Sequence, residues 1–257
     1  MEQKPFISVI IPTYNEAVKE KDMEDHLNSI KAYFEKIGRS YEVIIALDGP
    51  TDNTPDLVEE KIKDKPNFKV LHRKENRGKG YTIREGFAAA RGEWQLWTDM
   101  DGATPISNLD NFIPKFSEAD IVIGSRDLKN SNIQKHQPKW KELLGDGGNF
   151  LIQFMMGLRG IYDTQCGFKA FKEEFVKEVF PRTKVDRWGI DFEILMIAKK
   201  LNYKIIEVPV IWLDMGYSLV GIKGYLITLR ELFKVWWNNL RGVYQLKKKM
   251  SEIKGEK

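Results

Sequence analysis

The sequence predicts an α/β domain on a mainly parallel sheet, and three observations carry that expectation. Apolar runs of strand length alternate with amphipathic helical stretches four times over residues 6–101. This is the pattern of parallel strands joined by crossover helices. The main runs are apolar without a break, as in strands covered on both faces. Each run ends in a polar turn, which places four such turns at the carboxyl edge of one sheet, where ligands bind in folds of this kind.

The elements follow in order. Phe6 to Pro12 is the first buried strand, closed by proline, and Thr13-Tyr14-Asn15-Glu16 is the loop after it. From about 21 to 37, Met23, Leu27, Ile30, Phe34 and Ile37 recur at helical spacing, and Gly38 stops the helix. His26 is expected on a surface helix. Tyr41 to Leu47 is the second strand, with the turn Asp48-Gly49-Pro50-Thr51-Asp52. A helix over about 55–63, a third strand over 68–72 and a helix over 81–91 come next, the last opened by Asn76-Arg77-Gly78-Lys79-Gly80. The fourth strand, Gln95 to Thr98, runs into Asp99-Met100-Asp101-Gly102. Ile121 to Ile123 is another strand, ending in Gly124-Ser125-Arg126. Residues 127–142 read as a polar loop, either closing over a site or merely solvated. Asp163 to Phe168 reads as a polar turn, 188–201 as a helix, and Tyr203 to Trp212 as an edge strand interrupted by Pro209.

Length and composition narrow the class. The chain has 257 residues, 42% hydrophobic and 30% charged, which suits a globular domain with an ample core. Its single cysteine, Cys166, excludes a disulfide framework and reads as a packing residue. The N-terminus enters the first strand with no signal-peptide hydrophobic region. No apolar run approaches the roughly 18 residues of a membrane-spanning helix. Net charge is +4, and residues 241–257 alone carry six basic and two acidic side chains, so the body is balanced. A basic tail on a neutral body argues for a local anionic surface and against a nucleic-acid-binding face.

Asp99 and Asp101, spaced i, i+2 at a strand end, would share one face. Such a pair either binds a hard divalent cation that also holds the phosphates of a nucleotide or merely caps a turn. With Pro12, Tyr14 and Glu16, with Asp48, and with Lys79 and Gly80, they converge on one expected nucleotide crevice. Gly78-Lys79-Gly80 fits neither the dinucleotide fingerprint nor the P-loop spacing, which argues against a dehydrogenase or a P-loop kinase. Lys79 either contacts a ribose or phosphate or is an exposed lysine at a helix start. Arg126 either grips a phosphate in bidentate fashion or forms a surface ion pair with Asp127 or a neighbour. From Tyr225 to Tyr244, Leu226, Leu229, Leu232, Phe233, Trp236, Trp237, Leu240 and Val243 recur at helical spacing, bordered by Lys223, Arg230, Lys234, Arg241 and Lys248. That helix, 223–248, either lies in a membrane interface or packs on the body or a partner. Its division from the rest makes residues 1–218 the main domain and 219–257 the helix and tail.

Ile10 to Glu16, Asp48 to Asp52, Asn76 to Gly80 and Asp99 to Thr104 resemble, in order and spacing, the family 2 glycosyltransferases. Asp99-Met100-Asp101-Gly102-Ala103-Thr104 and Asp163-Thr164-Gln165-Cys166-Gly167-Phe168-Lys169 are similar to the dolichyl-phosphate β-glucosyltransferase branch, and dolichyl-phosphate mannose synthases lie nearby. The resemblance spans about residues 6–218. Two positions depart from the family turn Asp-Asp-Gly-Ser: Leu47 stands for the first Asp and Pro50 for the Ser, which leaves Asp48 to serve base or ribose. Lys139-Trp140-Lys141 stands where many relatives carry arginines, and 213–218 holds no basic residue.

The resemblance implies a GT-A fold and an inverting hexosyl transfer from a nucleotide sugar, UDP-glucose favoured and GDP-mannose next, to a polyprenyl or dolichyl phosphate. It implies Mg²⁺ or Mn²⁺ on Asp99 and Asp101, with Met100 beside the nucleotide. Asp191 or Asp163 would orient the acceptor, and Arg126, Lys139 and Lys141 would meet its phosphate. Residues 150–158 lie where a lipid acceptor would approach, as either a core helix or a lipid contact. The expected location is peripheral, on the cytoplasmic face of a membrane. The alternatives are transfer to a sugar hydroxyl with Asp191 as base, a non-catalytic nucleotide-binding module, and a membrane scaffold.

Overall fold

A computed structural model describes residues 4–133, 139–213 and 222–246. In chain order these form β1 (Ile7–Thr13), α1 (Glu20–Ile37), β2 (Tyr41–Leu47), α2 (Thr54–Ile62), β3 (Phe68–Leu71), α3 (Lys79–Ala88) and β4 (Trp94–Thr98). Next come α4 (Leu109–Phe112), β5 (Ile121–Ser125), β6 (Asn132–Ile133), α5 (Lys139–Met156), β7 (Phe168–Lys172) and α6 (Glu173–Val179). The chain continues through α7 (Ile190–Lys200), β8 (Ile205–Pro209), β9 (Ile211–Trp212) and α8 (Ile222–Leu240).

Seven strands form one sheet in the order β3-β2-β1-β4-β7-β5-β8. Only β7 runs antiparallel to its neighbours, pairing Thr98 with Phe168 and Ile123 with Lys169. The chain leaves β1 to one side for β2 and β3 and returns to the other side at β4. The switch point therefore lies between the carboxyl ends of β1 and β4, the position such sheets use for ligands. Alternation divides the core: Val9, Ile11 and Leu96 pack with α1, while Ile10 and Trp97 pack with α3 and α7.

The expected α/β architecture holds, with four differences. First, β7 is a strand the sequence pattern conceals, because Phe168-Lys169-Ala170-Phe171-Lys172 carries lysines at its second and last positions; Lys169 is fully buried there. Second, the single edge strand over 203–212 is two strands: β8 edges the main sheet, whereas β9 pairs with β6 in a two-stranded sheet. Third, residues 139–142 belong to a helix, α5, rather than to a loop; 134–138 lie outside the described residues. Fourth, α8 ends at Leu240 rather than 248, because Gly242 takes a left-handed backbone (φ +69) and turns the chain. Residues 247–257, with Lys248, lie outside the described residues, as does the segment 214–221; the side chain of Lys223 is also outside them.

Candidate active site

The loops after β1 and β2 are fastened to each other. Thr51 N donates to Asn15 Oδ1 (2.8 Å), Asn15 Nδ2 donates to Thr51 Oγ1 (3.1 Å), and Glu16 N donates to Thr54 Oγ1 (2.8 Å). Burial works against the Asp52 carboxylate, but it accepts from Thr54 Oγ1 (2.6 Å), Thr54 N and Ala17 N, and these bonds prevail and hold it below the usual carboxylate range. Pro12 is half-buried between buried Ile11 and Thr13, and Tyr14 stands exposed at the rim.

Asp48 is buried and turned into the glycine loop. Its carboxylate accepts from Asn76 Nδ2 (3.0 Å), Arg77 N (2.8 Å) and Gly78 N (2.9 Å), and it pairs with Arg73. Both of its oxygens, expected at a base or ribose, thus have partners within the protein. Asp48 fixes the backbone just ahead of Lys79. Gly78 and Gly80 lie against the carbonyls of Asp186 and Arg187, where a Cβ would overlap.

Asp99, Met100 and Asp101 fall in the turn just past β4 rather than on the strand, so their nearness comes from turn geometry and not from strand alternation. Met100 is buried in the core. Gly102 closes the turn with φ +65 and rests on His26, which is buried beneath it on the inner face of α1, a helix with its other face exposed. Burial pushes the His26 imidazole down to about 4, so it is neutral at physiological pH. Burial and then the charge of Asp99 raise the Asp101 carboxyl, while Ala103 N donates to it (3.0 Å). Burial also raises Glu16, whose carboxylate pairs with Lys19 at 2.9 Å and feels both aspartates.

Lys79 belongs to this cluster. Its ammonium lies 2.7 Å from Asp99 Oδ1 and 5.1 Å from the centre of the Trp97 ring. Burial opposes its charge, but Asp99 and then Asp191 outweigh burial and leave it raised. Trp97 carries a second cation at the same distance, Lys169, and its indole N–H donates to Asp99 Oδ1 (3.3 Å). Lys169 Nζ bonds Cys166 O at 2.6 Å and pairs with Asp191, which stands in the first turn of α7. Burial raises Asp191 against the pull of Lys169 and Lys79.

Asp163 completes the chain of charges. It takes Arg126 Nε (2.7 Å), Arg126 Nη2 (3.0 Å) and the amides of Arg126, Gln165 and Cys166. Burial works against this carboxylate, but the guanidinium prevails and holds it near 2. The Nε–Nη2 edge of Arg126, expected to grip a phosphate, is thus already bidentate on Asp163. Burial raises the Cys166 thiol to about 12, in keeping with a packing residue. Glu207 anchors the same turn by accepting from Tyr162 N (2.8 Å) and Asp163 N (2.9 Å).

The structure thus unites Glu16, Lys79, Asp99, Asp101, Asp163, Asp191 and Arg126 at one end of the sheet. Lys139 and Lys141 start α5, but their side chains lie outside the described residues. Sequence reasoning gave no role to Lys169, Trp97, Lys19 or Glu207; the one available signal was a lone lysine in an apolar run. Among the described residues no three His, Cys, Asp or Glu side chains form a metal-binding group. Asp99 and Asp101 nonetheless have the chemistry for a hard divalent cation: they are two mutually repelling carboxylates, and the Asp99 side chain is partly open to solvent.

With this geometry in hand, comparisons fix the family. The family model for glycosyl transferase family 2 matches residues 8–180. The chain is 34% identical over 255 residues to the dolichyl-phosphate beta-glucosyltransferase of Dictyostelium discoideum, covering 94% of this chain and 77% of that protein. It superposes on the mannosyltransferase PcManGT from Pyrobaculum calidifontis in complex with GDP-Man and Mn²⁺ (TM-score 0.61, 19% identity, 93% of this chain and 65% of that one). It also superposes on glucosyl-3-phosphoglycerate synthase from Mycobacterium tuberculosis with Mn²⁺, UDP-Glc and phosphoglyceric acid (TM-score 0.64, 15% identity, 95% and 81%). Those two structures share the GT-A fold with this chain. Fold, order of motifs and sequence likeness agree, and the chain belongs to glycosyl transferase family 2.

Proposed function

We propose that this glycosyltransferase moves glucose from a nucleoside diphosphate sugar to dolichyl phosphate or another polyprenyl phosphate, inverting the anomeric carbon. UDP-glucose is the favoured donor and GDP-mannose the next. The observation that carries the reading is the junction of the Asp99/Asp101 turn with the chain Lys79, Asp191, Lys169 and Asp163–Arg126. It joins a site suited to a diphosphate to one suited to an anionic acceptor. The name of the Dictyostelium relative, matched over 94% of this chain and 77% of that protein, supports the sugar and the lipid. The UDP-Glc and GDP-Man complexes of the solved neighbours support the donor class.

In this reading Asp99 and Asp101 hold Mg²⁺ or Mn²⁺, which when bound supplies positive charge to the departing diphosphate. Lys79 adds a preorganised cation on the same side. Pro12, Tyr14, Glu16, Met100 and Gly80 shape the donor crevice, and Asp48 positions its glycine loop. An acceptor phosphate with a second pKa near 6 is already mostly ionised at neutral pH, so it needs no strong base. Asp191 and Asp163, each tied to a cation, orient that acceptor, and the remaining edge of Arg126, with Lys139 and Lys141, meets its charge.

Two exposed helix faces support an approach to the lipid. No helix among the described residues is long and apolar enough to cross a membrane. On α8, Leu232 and Val235 pack inward, whereas Leu226, Phe233, Trp237 and Leu240 are more than half exposed. On α5, Ile152 and Met156 are core, while Phe150 and Phe154 are 71% and 65% exposed. We read these faces as meeting a membrane surface, with Arg230 and Arg241 toward anionic headgroups at about 1 kcal/mol each. The protein would then work peripherally, on the cytoplasmic face.

The test uses purified full-length protein, UDP- and GDP-sugars, a short polyprenyl phosphate and Mg²⁺ or Mn²⁺, with products identified by mass. Glucosyl polyprenyl phosphate is expected, and Asp99→Ala and Asp101→Ala should each abolish it. No such product, or near-normal transfer by either variant, overturns the reading.

A further inference from the structure

Residues 184–189 form a strap between the glycine loop and α8. On the inner side, Tyr81 N donates to Asp186 O (3.1 Å), and Arg84 bonds Val185 O (2.6 Å) and pairs with the Asp186 carboxylate. Gly78 and Gly80 touch the strap carbonyls so closely that neither position has room for a Cβ. On the outer side, α8 supplies Glu231, a buried carboxylate on the face opposite the exposed aromatics. Its two oxygens accept from Arg187 N (3.1 Å) and Gly189 N (2.7 Å). Gly189 is itself so close to Glu231 that a Cβ there would come within 2.9 Å of the Glu231 Cβ. Lys234 on the same helix donates to Lys184 O (2.8 Å).

The strap leads straight into α7, whose first turn carries Asp191. Glu231 therefore grips a segment that backs Lys79 on one side and delivers Asp191 on the other. Two buried charge-assisted bonds from one carboxylate are strong, directional restraints.

We infer that Glu231 is a positioning residue that couples α8 to the transfer site through the 184–189 strap. The coupling rests on the proposed function only for its consequence: the helix read as meeting the lipid surface is the one that holds the glycine loop and Asp191 in register. A shift of α8 on its support is passed to both chiefly through Glu231, with Lys234 holding the start of the strap.

The test compares full-length wild type with Glu231→Gln, which keeps one acceptor oxygen, and Glu231→Ala, which keeps none. Backbone amide exchange should quicken in the strap and also in residues 76–82, more for Ala than for Gln, with β1 and β2 unchanged. With a short polyprenyl phosphate, kcat should fall in the same order, by about 10-fold to 100-fold for Ala, measured at a temperature where each variant is fully folded. Exchange confined to α8 and the strap, with 76–82 as in wild type, overturns the coupling. If Glu231→Ala fails to fold, Glu231→Gln decides by the same measure. Absence of transfer by wild type would count against the proposed function alone, since exchange at 76–82 reads the coupling without any substrate.

Discussion

Lys79 Nζ lies 2.7 Å from Asp99 Oδ1, so a cation from the glycine loop and a carboxylate from the β4 turn already form a pair. The ammonium offsets part of the repulsion between Asp99 and Asp101 and competes with any metal for the same oxygen. Lys79→Met should lower kcat/KM for transfer by about 100-fold, the scale for losing one preorganised charge at the leaving group. Mn²⁺ titrated without donor and followed by water-proton relaxation should bind at least as tightly as in wild type. Weaker Mn²⁺ binding in the variant would show that Lys79 supports the metal site rather than competing with it.

Gly167 makes a sharper test of the same carboxylate. A Cβ at this position would overlap Asp99 Oδ2. The backbone conformation does not demand glycine there; the space does. Gly167→Ala should push Asp99 off its partners and reduce transfer as severely as Asp99→Ala. Stability should fall by about 1–3 kcal/mol, the usual cost of overpacking. Activity assays beside denaturant unfolding check both halves, and an active Gly167→Ala would mean that the carboxylate has another resting place.

The sheet and the strand-end turns were legible because buried parallel strands write themselves as unbroken apolar runs. Val9 to Ile11 and Val43 to Leu47 could hardly be read otherwise. The pairings of the site were not legible, since they join residues distant in sequence. Nothing near Asp163 signals Arg126, 37 positions away, and nothing near Asp191 signals Lys169. The contact of His26 with Gly102 was not legible for the same reason, since it joins α1 to the β4 turn 76 positions away. On α8 the wheel pattern grouped Leu232 with Phe233 and Trp237, but tertiary packing buries only the first.

Asp191 and Lys169 form a buried pair, and breaking such a pair from one side leaves an uncompensated charge. Asp191→Asn should therefore destabilise the protein by about 3–5 kcal/mol while also reducing transfer. The double variant Asp191→Asn with Lys169→Met should recover much of the stability and none of the activity. Urea unfolding of the two single variants and the double variant gives the coupling directly. If Asp191→Asn is as stable as wild type yet inactive, Asp191 acts as a base on a hydroxyl acceptor, and the phosphate acceptor is wrong.

Glu193, one turn behind the site, links stability to pH. Burial, the dominant influence, pushes its carboxyl up to about 7, against the bonds it accepts from Tyr244 Oη (2.7 Å) and Lys184 N (2.8 Å). A carboxyl with its folded pKa above the unfolded value binds its proton more tightly in the native state. Its contribution is fully present below the ordinary value of 4.5 and is lost as pH rises through about 7. The span amounts to roughly 3 kcal/mol. Other groups titrate in the same range, so the informative quantity is the difference between wild type and Glu193→Gln, in which their effects cancel. That difference in unfolding free energy should move against wild type as pH rises from about 5 to about 8. A flat difference across that range would mean that Glu193 stays ionised in the folded protein, with Tyr244 holding it so.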